Sequence, residues 1–268
     1  METELMQDKF HTTVLQREGT IASYPLADLC EPGMMRGFLE KYGSFIKALE
    51  PAAAGAYFAS WLSYPSLACQ MMMSLFGKKL DLSLNNMNLD LYVDGGRAVL
   101  SFRLNEWLTD NEPAEASQRA EWRHELLAAY YRDTVRPLIT AVSDACGLHT
   151  SQLWGQLPTR FQYGIEAVKE QEWPESILGR VESDYHYLKQ GLEGGVFGRG
   201  KNPLDVRFKW VPGLYNPDEQ VRLKNACCYF YCTEGGYYCY TCPRISETER
   251  ENRRLEYIQQ QQLTEGAQ

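Results

Sequence analysis

The sequence predicts a mixed α+β fold, mainly helical, with two antiparallel β-hairpins and a C-terminal metal-binding cysteine loop. Three observations predict it. Several segments carry apolar residues at the 3.6-residue period of a helix face. Two others switch to strict alternation around glycine-containing turns. Five of the eight cysteines fall between positions 227 and 242.

Pro32-Gly33 opens a helix with apolar positions at Met34, Met35, Phe38, Leu39, Phe45, Ile46 and Leu49. Pro51 and Pro65 fit the first turn of two further helices, where a missing N–H leaves no bond unmade. Leu89, Leu91 and Val93 then alternate with Asp90 and Tyr92. Asp94-Gly95-Gly96 turns the chain, and Leu100, Phe102 and Leu104 alternate with Ser101 and Arg103, which reads as a hairpin. Residues 111–117 are polar and read as a linker. A long helix follows over 121–146, bent near Pro137 and stopped at Gly147. Helices are expected over 151–168 and 175–189, the second with Ile177, Leu178, Val181, Tyr185 and Leu188 on one face. A glycine-rich loop occupies 191–200.

After Pro203 the alternation returns. Val206, Phe208 and Trp210 alternate with Arg207 and Lys209. After a turn through Gly213, Asn216 and Pro217, Val221 and Leu223 alternate with Arg222 and Lys224, giving a second hairpin. Beyond Pro243 the chain is polar and reads as a short exposed, fraying helix with a capping box at Ser246 and Glu249 and a glutamine run at 259–262. The organisation expected is an N-terminal helical part with a hairpin (1–110), a second helical part with hairpin and cysteine segment (111–244) packed on the first as one unit, and a polar tail (245–268).

Composition narrows the function classes. With 268 residues, 44% apolar and 23% charged, the chain is globular rather than fibrous or disordered, and it needs no disulfide staples. A net charge of −8 argues against nucleic-acid binding, which needs a basic surface. Residues 1–20 mix acids and bases without an apolar core, so no signal peptide is expected. The most apolar stretch, 52–76, is interrupted at Pro65 and is too short for a membrane span. A cytoplasmic protein with reduced thiols follows as the expectation.

Cys30, Cys69 and Cys146 lie scattered in helical segments and read as inert buried thiols. Cys227-Cys228, ten residues, then Cys239-x-x-Cys242 is different. A Cys-x-x-Cys turn offers two thiolates to one metal, and a second pair completes four ligands. Adjacent cysteines in a strand point to opposite faces, so the strand must end there for both to serve one centre. Gly235-Gly236 permits the reversal between the pairs. Spacing alone leaves a structural zinc site, an iron–sulfur cluster and a disulfide pair open. Cys232, the fifth thiol, reads as a bystander.

The Cys227-Cys228-x10-Cys239-x2-Cys242 arrangement resembles the ferric-siderophore reductases of the FhuF type. Weaker likenesses are Leu153-Trp154 within a helix, Asn202-Pro203-Leu204 before the last hairpin, and Ser63 to Pro65 following Trp61. The likeness spans about residues 50–243. It departs from the family at two points: the chain runs 26 residues beyond Cys242, and the cysteine loop carries Cys232 and several tyrosines. The resemblance implies a [2Fe–2S] cluster on Cys227, Cys228, Cys239 and Cys242 as the catalytic group. It implies one-electron reduction of a ferric siderophore of hydroxamate type, fed by a reduced ferredoxin-like or flavoprotein donor, with room for peripheral contact with the inner membrane. The alternatives are a zinc-stabilised interaction module and an iron–sulfur electron carrier or sensor.

Between Arg199 and Lys224 the chain holds six bases and three acids. Arg207, Lys209, Arg222 and Lys224 would share the polar face of the second hairpin, as a docking patch for an acidic donor or as electrostatic support for the cluster. Candidate substrate contacts are Trp154 and Tyr163 on their helix, with Arg199, Lys201 and Lys209 from the basic segment. The Gly195-x4-Gly200-Lys201-Asn202 near-match to a phosphate loop lacks the Ser or Thr and has its helix and strand in the wrong order, so it reads as a mobile loop. The four histidines show no metal-binding spacing.

Overall fold

The computed structural model describes residues 2–265 and has the expected mixed α+β architecture. In chain order the elements are α1 (Glu2–Phe10), β1 (Thr12–Thr13), β2 (Thr20–Pro25), α2 (Pro32–Phe45), α3 (Pro51–Trp61), α4 (Ser63–Phe76), β3 (Lys78–Leu80), β4 (Met87–Asp94), β5 (Arg97–Leu104) and β6 (Thr109–Asn111). The second half holds α5 (Arg119–Tyr130), α6 (Arg136–Cys146), α7 (Thr150–Trp154), α8 (Leu157–Lys169), α9 (Glu175–Gln190), β7 (Trp210–Pro212), β8 (Gln220–Arg222) and α10 (Glu247–Glu265). One apolar cluster of buried side chains runs from Met6 to Leu204.

The first hairpin forms in the expected register, with Leu89 opposite Phe102 and Leu91 opposite Leu100. It lies inside a four-stranded sheet of order β1-β5-β4-β2, whose outer strands are a two-residue β1 and a β2 whose polar and apolar residues do not alternate in sequence. Those outer strands account for a difference from the sequence pattern. Asp90, read as a solvent-facing residue, is fully buried, accepting from Ser23 Oγ at 2.5 Å and from Arg103 Nε at 2.8 Å. The side chains of the flanking strands enclose Asp90 on an otherwise partly open face, and the charge is retained because it is paired.

Helix α4 is the central element. Its residues from Ser66 to Leu75 are all buried, including Ser66, Gln70 and Ser74. A helix buried all round must satisfy its polar side chains internally. Ser74 Oγ donates to Asp184 Oδ2 of α9 at 2.9 Å, and Gln70 Nε2 donates to Ser74 Oγ at 3.0 Å. Asp184 in turn accepts from Arg119 at 2.7 and 2.9 Å and from Arg123 at 3.0 Å. This fully buried carboxylate therefore fastens α4, α5 and α9 together.

The long helix over 121–146 is two helices joined by a widened turn at 131–135. Pro137 cannot donate to the carbonyl four residues back, and the turn opens to accommodate it. The expected helix over 151–168 divides into α7 and α8 at Gly155 and Gln156. The second hairpin is much shorter than the alternation suggested. Only Trp210–Pro212 pairs with Gln220–Arg222, and residues 206–209 are not strand. The polar tail is longer than expected: α10 extends from Glu247 to Glu265, and residues 266–268 lie outside the described residues.

Burial opposes the charge on Asp184, but the hydrogen bonds and charges of Arg119 and Arg123 hold its pKa below the usual carboxylate range. Replacement Asp184→Asn removes the buried carboxylate shared by the half-buried Arg119 and Arg123, Arg119 keeping Glu112, and is expected to lower the unfolding free energy by about 2 kcal/mol in urea titration at pH 7. A carboxylate with a depressed folded pKa contributes above its unfolded pKa of about 3.9 and stops contributing as pH falls through the folded value. The difference between wild type and variant should therefore be constant near neutrality and shrink below about pH 4.

Candidate metal centre

The chain reaches the cysteines through a close approach. After β8, Asn225 N donates to Thr159 Oγ1 at 3.0 Å, and Asn225 Nδ2 donates to Gly155 O at 3.3 Å. A Cβ at Gly155 would stand 2.8 Å from Ala226 Cβ, so the break between α7 and α8 must be a glycine for the segment to lie against it. Gln152 Nε2 and Gln156 Nε2 then both donate to Cys227 O, at 3.1 and 2.9 Å. Cys227 is thus held from α7 and from the start of α8.

The chain next turns away. Tyr229 is left-handed at φ 60°, and Phe230–Cys232 make one short turn. At Gly236 a Cβ would fall 1.8 Å from Phe230 O, so only glycine closes the reversal. The return leg brings Cys239 and Cys242 back, with Cys242 N donating to Cys239 O at 2.9 Å and Lys224 N donating to Thr241 O at 3.0 Å.

Two thiol pairs result. Cys227 and Cys242, both buried, have their sulfurs 3.6 Å apart. Cys228 and Cys239, both partly exposed, are the second pair, neighbours whose thiols perturb each other's ionisation. Each member of the Cys-Cys step therefore meets one member of the Cys-x-x-Cys turn. Lys224 Nζ stands 3.4 Å from Cys228 Sγ. The Cys239 hydrogen bond and the Lys224 charge lower the Cys228 thiol to about 5, and the same contact pushes Cys239 up. Burial pushes Cys227 up to about 11. Two thiolates on one tetrahedral metal, at about 2.3 Å each, stand about 3.8 Å apart, and the spacing of Cys227 and Cys242 is close to that. Among the described residues no three His, Cys, Asp or Glu side chains converge as ligands of a single ion would.

Helix α10 fastens the return leg. Arg250, 2% exposed, donates to Tyr240 O at 3.2 Å and to Cys242 O at 2.6 Å. Arg253 Nη1 donates to Tyr238 O at 2.6 Å, and Arg254 Nη1 to Tyr240 Oη at 2.8 Å. The capping contact is present, with Glu249 N donating to Ser246 Oγ at 3.1 Å. The tail is thus a clamp on the cysteine loop and not a fraying appendage. Arg244 adds hydrogen bonds to the Tyr229 and Tyr231 hydroxyls.

Cys232 takes no part in either pair. Its thiol is buried against Ala53 and Ala56 of α3, 3.8 Å from Glu50 Oε2. Of the scattered cysteines, Cys69 is buried and Cys30 and Cys146 are half-buried; burial raises all three pKa values, Cys69 to about 12.

A cavity of about 410 Å³ opens beside Cys228. Tyr57, Ser60 and Trp61 come from α3, Thr159, Arg160 and Tyr163 from α8, and Lys224 with Cys228 from the cysteine segment. Of the five expected substrate contacts, the structure brings only Tyr163 to this cavity. Trp154 is buried in the core between Tyr131 and Phe197, with ring centroids 6.4 and 5.3 Å away. Arg199 donates to Thr150 Oγ1 at 3.2 Å, and exposed Lys201 lies in its loop; neither lines the cavity. Lys209 lines a separate groove with Arg207, Lys224 and Arg250. The basic hairpin face is also interrupted. Arg222 turns inward, 4% exposed, to pair with Glu166 and to stack among Tyr163, Phe208 and Trp210. Three aromatic faces and a carboxylate hold it there in place of water.

Tyr57, Trp61 and Arg160 were missed as site residues. The signal for Arg160 was present, because Gln156, Thr159, Arg160 and Tyr163 recur at three- and four-residue steps and so share a helix face. Tyr57 and Trp61 repeat the same four-residue step on α3, but nothing local connects the two helices. No protein-family model matches the chain, and no curated protein matches it at a significant level.

Replacing Arg250 with methionine keeps the apolar stem and leaves the Tyr240 and Cys242 carbonyls without their donor. Amide hydrogen exchange should accelerate over residues 237–243, by about ten- to a hundredfold for the loss of buried charged hydrogen bonds. Exchange in α4 should stay unchanged.

Proposed function

We propose that Cys227, Cys228, Cys239 and Cys242 hold a [2Fe–2S] cluster and that the chain is a ferric-siderophore reductase. The observation that carries this reading is the pairing of the four thiols beside a cavity that Cys228 itself lines. A two-iron cluster takes two thiolates per iron, which matches two pairs. A single zinc ion held by all four sulfurs is the alternative, and the metal and sulfide content of the isolated protein separates the two. The likeness of the Cys-Cys-x10-Cys-x2-Cys pattern to the FhuF-type reductases supports the same reading.

The bound cluster supplies a single low-potential electron. The protein's own residues do the rest. Lys224 and Arg244 place positive charge against an anionic centre, which favours its reduced form. Tyr57, Trp61 and Tyr163 give the cavity apolar walls that displace water from an incoming chelate. Arg160 adds a charged fork at the rim. Hydroxamate oxygens hold hard Fe(III) and hold Fe(II) far more weakly. The donor loses one electron, the chelate iron gains one, the freed ligand oxygens take protons from solvent, and Fe(II) dissociates. No bond between protein and substrate iron is needed.

The electron donor, ferredoxin-like or flavoprotein, would dock by acidic groups on the groove where Arg207 and Lys209 are exposed. The site of action proposed is the cytoplasm; among the described residues no helix is long and apolar enough to cross a membrane.

Protein isolated without oxygen should contain two irons and two acid-labile sulfides per chain and should discharge an electron to a ferric trihydroxamate under a ferrous trap. Cys228→Ser should reduce that rate at least ~100-fold, more than the loss of a group that merely supports a ligand. Stoichiometric zinc without sulfide would overturn the proposal. Charge reversal at Arg207 and Lys209 to glutamate should slow electron delivery by the donor and flatten its salt dependence. The rate with a small chemical reductant should not change.

A further inference from the structure

The cavity beside Cys228 has a charge character of its own. Its lining includes two cations, Arg160 and Lys224, and no Asp or Glu, in a chain whose net charge is −8. The two cations are differently engaged. Lys224 is committed to the thiols, 3.4 Å from Cys228 Sγ. Arg160 Nε donates to Ser60 Oγ at 3.2 Å and Nη1 donates to the Tyr64 hydroxyl, both neutral partners. No carboxylate pairs with Arg160 among the described residues, and its Nη2 carries no hydrogen bond there. The guanidinium plane lies 4.7 Å from the Tyr64 ring centroid and 5.9 Å from that of Trp61, which fixes its orientation at the wall.

An arginine held by neutral acceptors and aromatic faces, lining a cavity whose walls carry no Asp or Glu, matches a carboxylate. We infer that the ferric chelate this cavity accepts is anionic and presents carboxylate groups, as in citrate-backbone hydroxamates, in preference to neutral or cationic trihydroxamates. The inference rests on the reductase reading and names the substrate class of that site. Arg160 takes a ligand carboxylate, Tyr57, Trp61 and Tyr163 cover the apolar arms, and the iron faces Cys228. A pendant ammonium placed at Arg160 would meet a like charge with no carboxylate beside it, which disfavours that class at this wall of the cavity.

Equilibrium dialysis with labelled iron tests this without turnover. The probes are ferric aerobactin, a citrate-backbone dihydroxamate with spare carboxylates, and ferric desferrioxamine B, a trihydroxamate with a pendant ammonium. The cluster-loaded protein should bind the first at least about tenfold more tightly, with a preference that declines as salt is raised. Arg160→Gln should weaken ferric aerobactin binding by about ten- to a hundredfold and leave ferric desferrioxamine B within about twofold. Arg160→Lys, which keeps the charge and loses the fork, should fall between. Equal affinities, the reverse order, or an equal loss for both chelates in Arg160→Gln would overturn the inference. If both chelates are reduced at similar rates with similar affinity, the reductase reading stands and the anion preference fails. If neither is reduced by cluster-loaded protein, the reductase reading fails, whatever the dialysis shows.

Discussion

The Cys227 carbonyl accepts two amide hydrogen bonds, from Gln152 on α7 and from Gln156 at the head of α8, and the C-terminal third of the protein is arranged around that anchor. It can form only because α7 and α8 part at Gly155, where the backbone passes against Ala226. Once Cys227 is placed, the return leg must bring Cys242 beside it, and the turn at Gly236 must be tight enough to allow this. A four-thiol centre on loops would otherwise suffer from mutual repulsion of its ligands. Here a helical scaffold fixes one leg and the arginines of α10 fix the other.

The two legs are anchored by opposite chemistry. Neutral glutamine amides hold the first. Cationic side chains hold the second through the carbonyls of Tyr238, Tyr240 and Cys242, directing positive charge at the loop that carries the thiols. Short contacts with the 47–50 segment, including Leu49 N to Cys232 O at 2.8 Å, tie the outer end of the loop to the start of α3. That is the helix which also contributes Tyr57 and Trp61 to the cavity. The loop and the cavity wall therefore share a support.

Much of this was legible in the sequence where the signal is local. The β4–β5 hairpin announces itself through alternation around Asp94-Gly95-Gly96, and the four cysteines through their spacing. What was illegible is non-local. Strand β1 is too short and β2 too irregular in sequence to show a period, so the pairing that buries Asp90 between Ser23 and Arg103 could not be foreseen. Alternation over 206–210 predicts a strand, yet only Trp210 of it pairs, and the inward turn of Arg222 opposite it was illegible because inward and outward arginines leave the same trace in the pattern. The arginines of α10 read as an ordinary polar face, since sequence does not show that loop carbonyls lie opposite them. The cavity joins residues some hundred positions apart, Trp61 and Arg160, and no local period links such positions.

The four thiols are not equally sheltered. Cys227 and Cys242 are sealed in protein, whereas Cys228 faces the cavity and Cys239 is partly open. Peroxide and alkylating agents would reach the thiols through that cavity, and Cys228 is the sulfur that lines it. On the proposed reading a chelate seated there would be a stopper as well as a reactant. The idle protein would then be more vulnerable to oxidative inactivation than the working one, and an ample iron supply would prolong the life of the centre that consumes it.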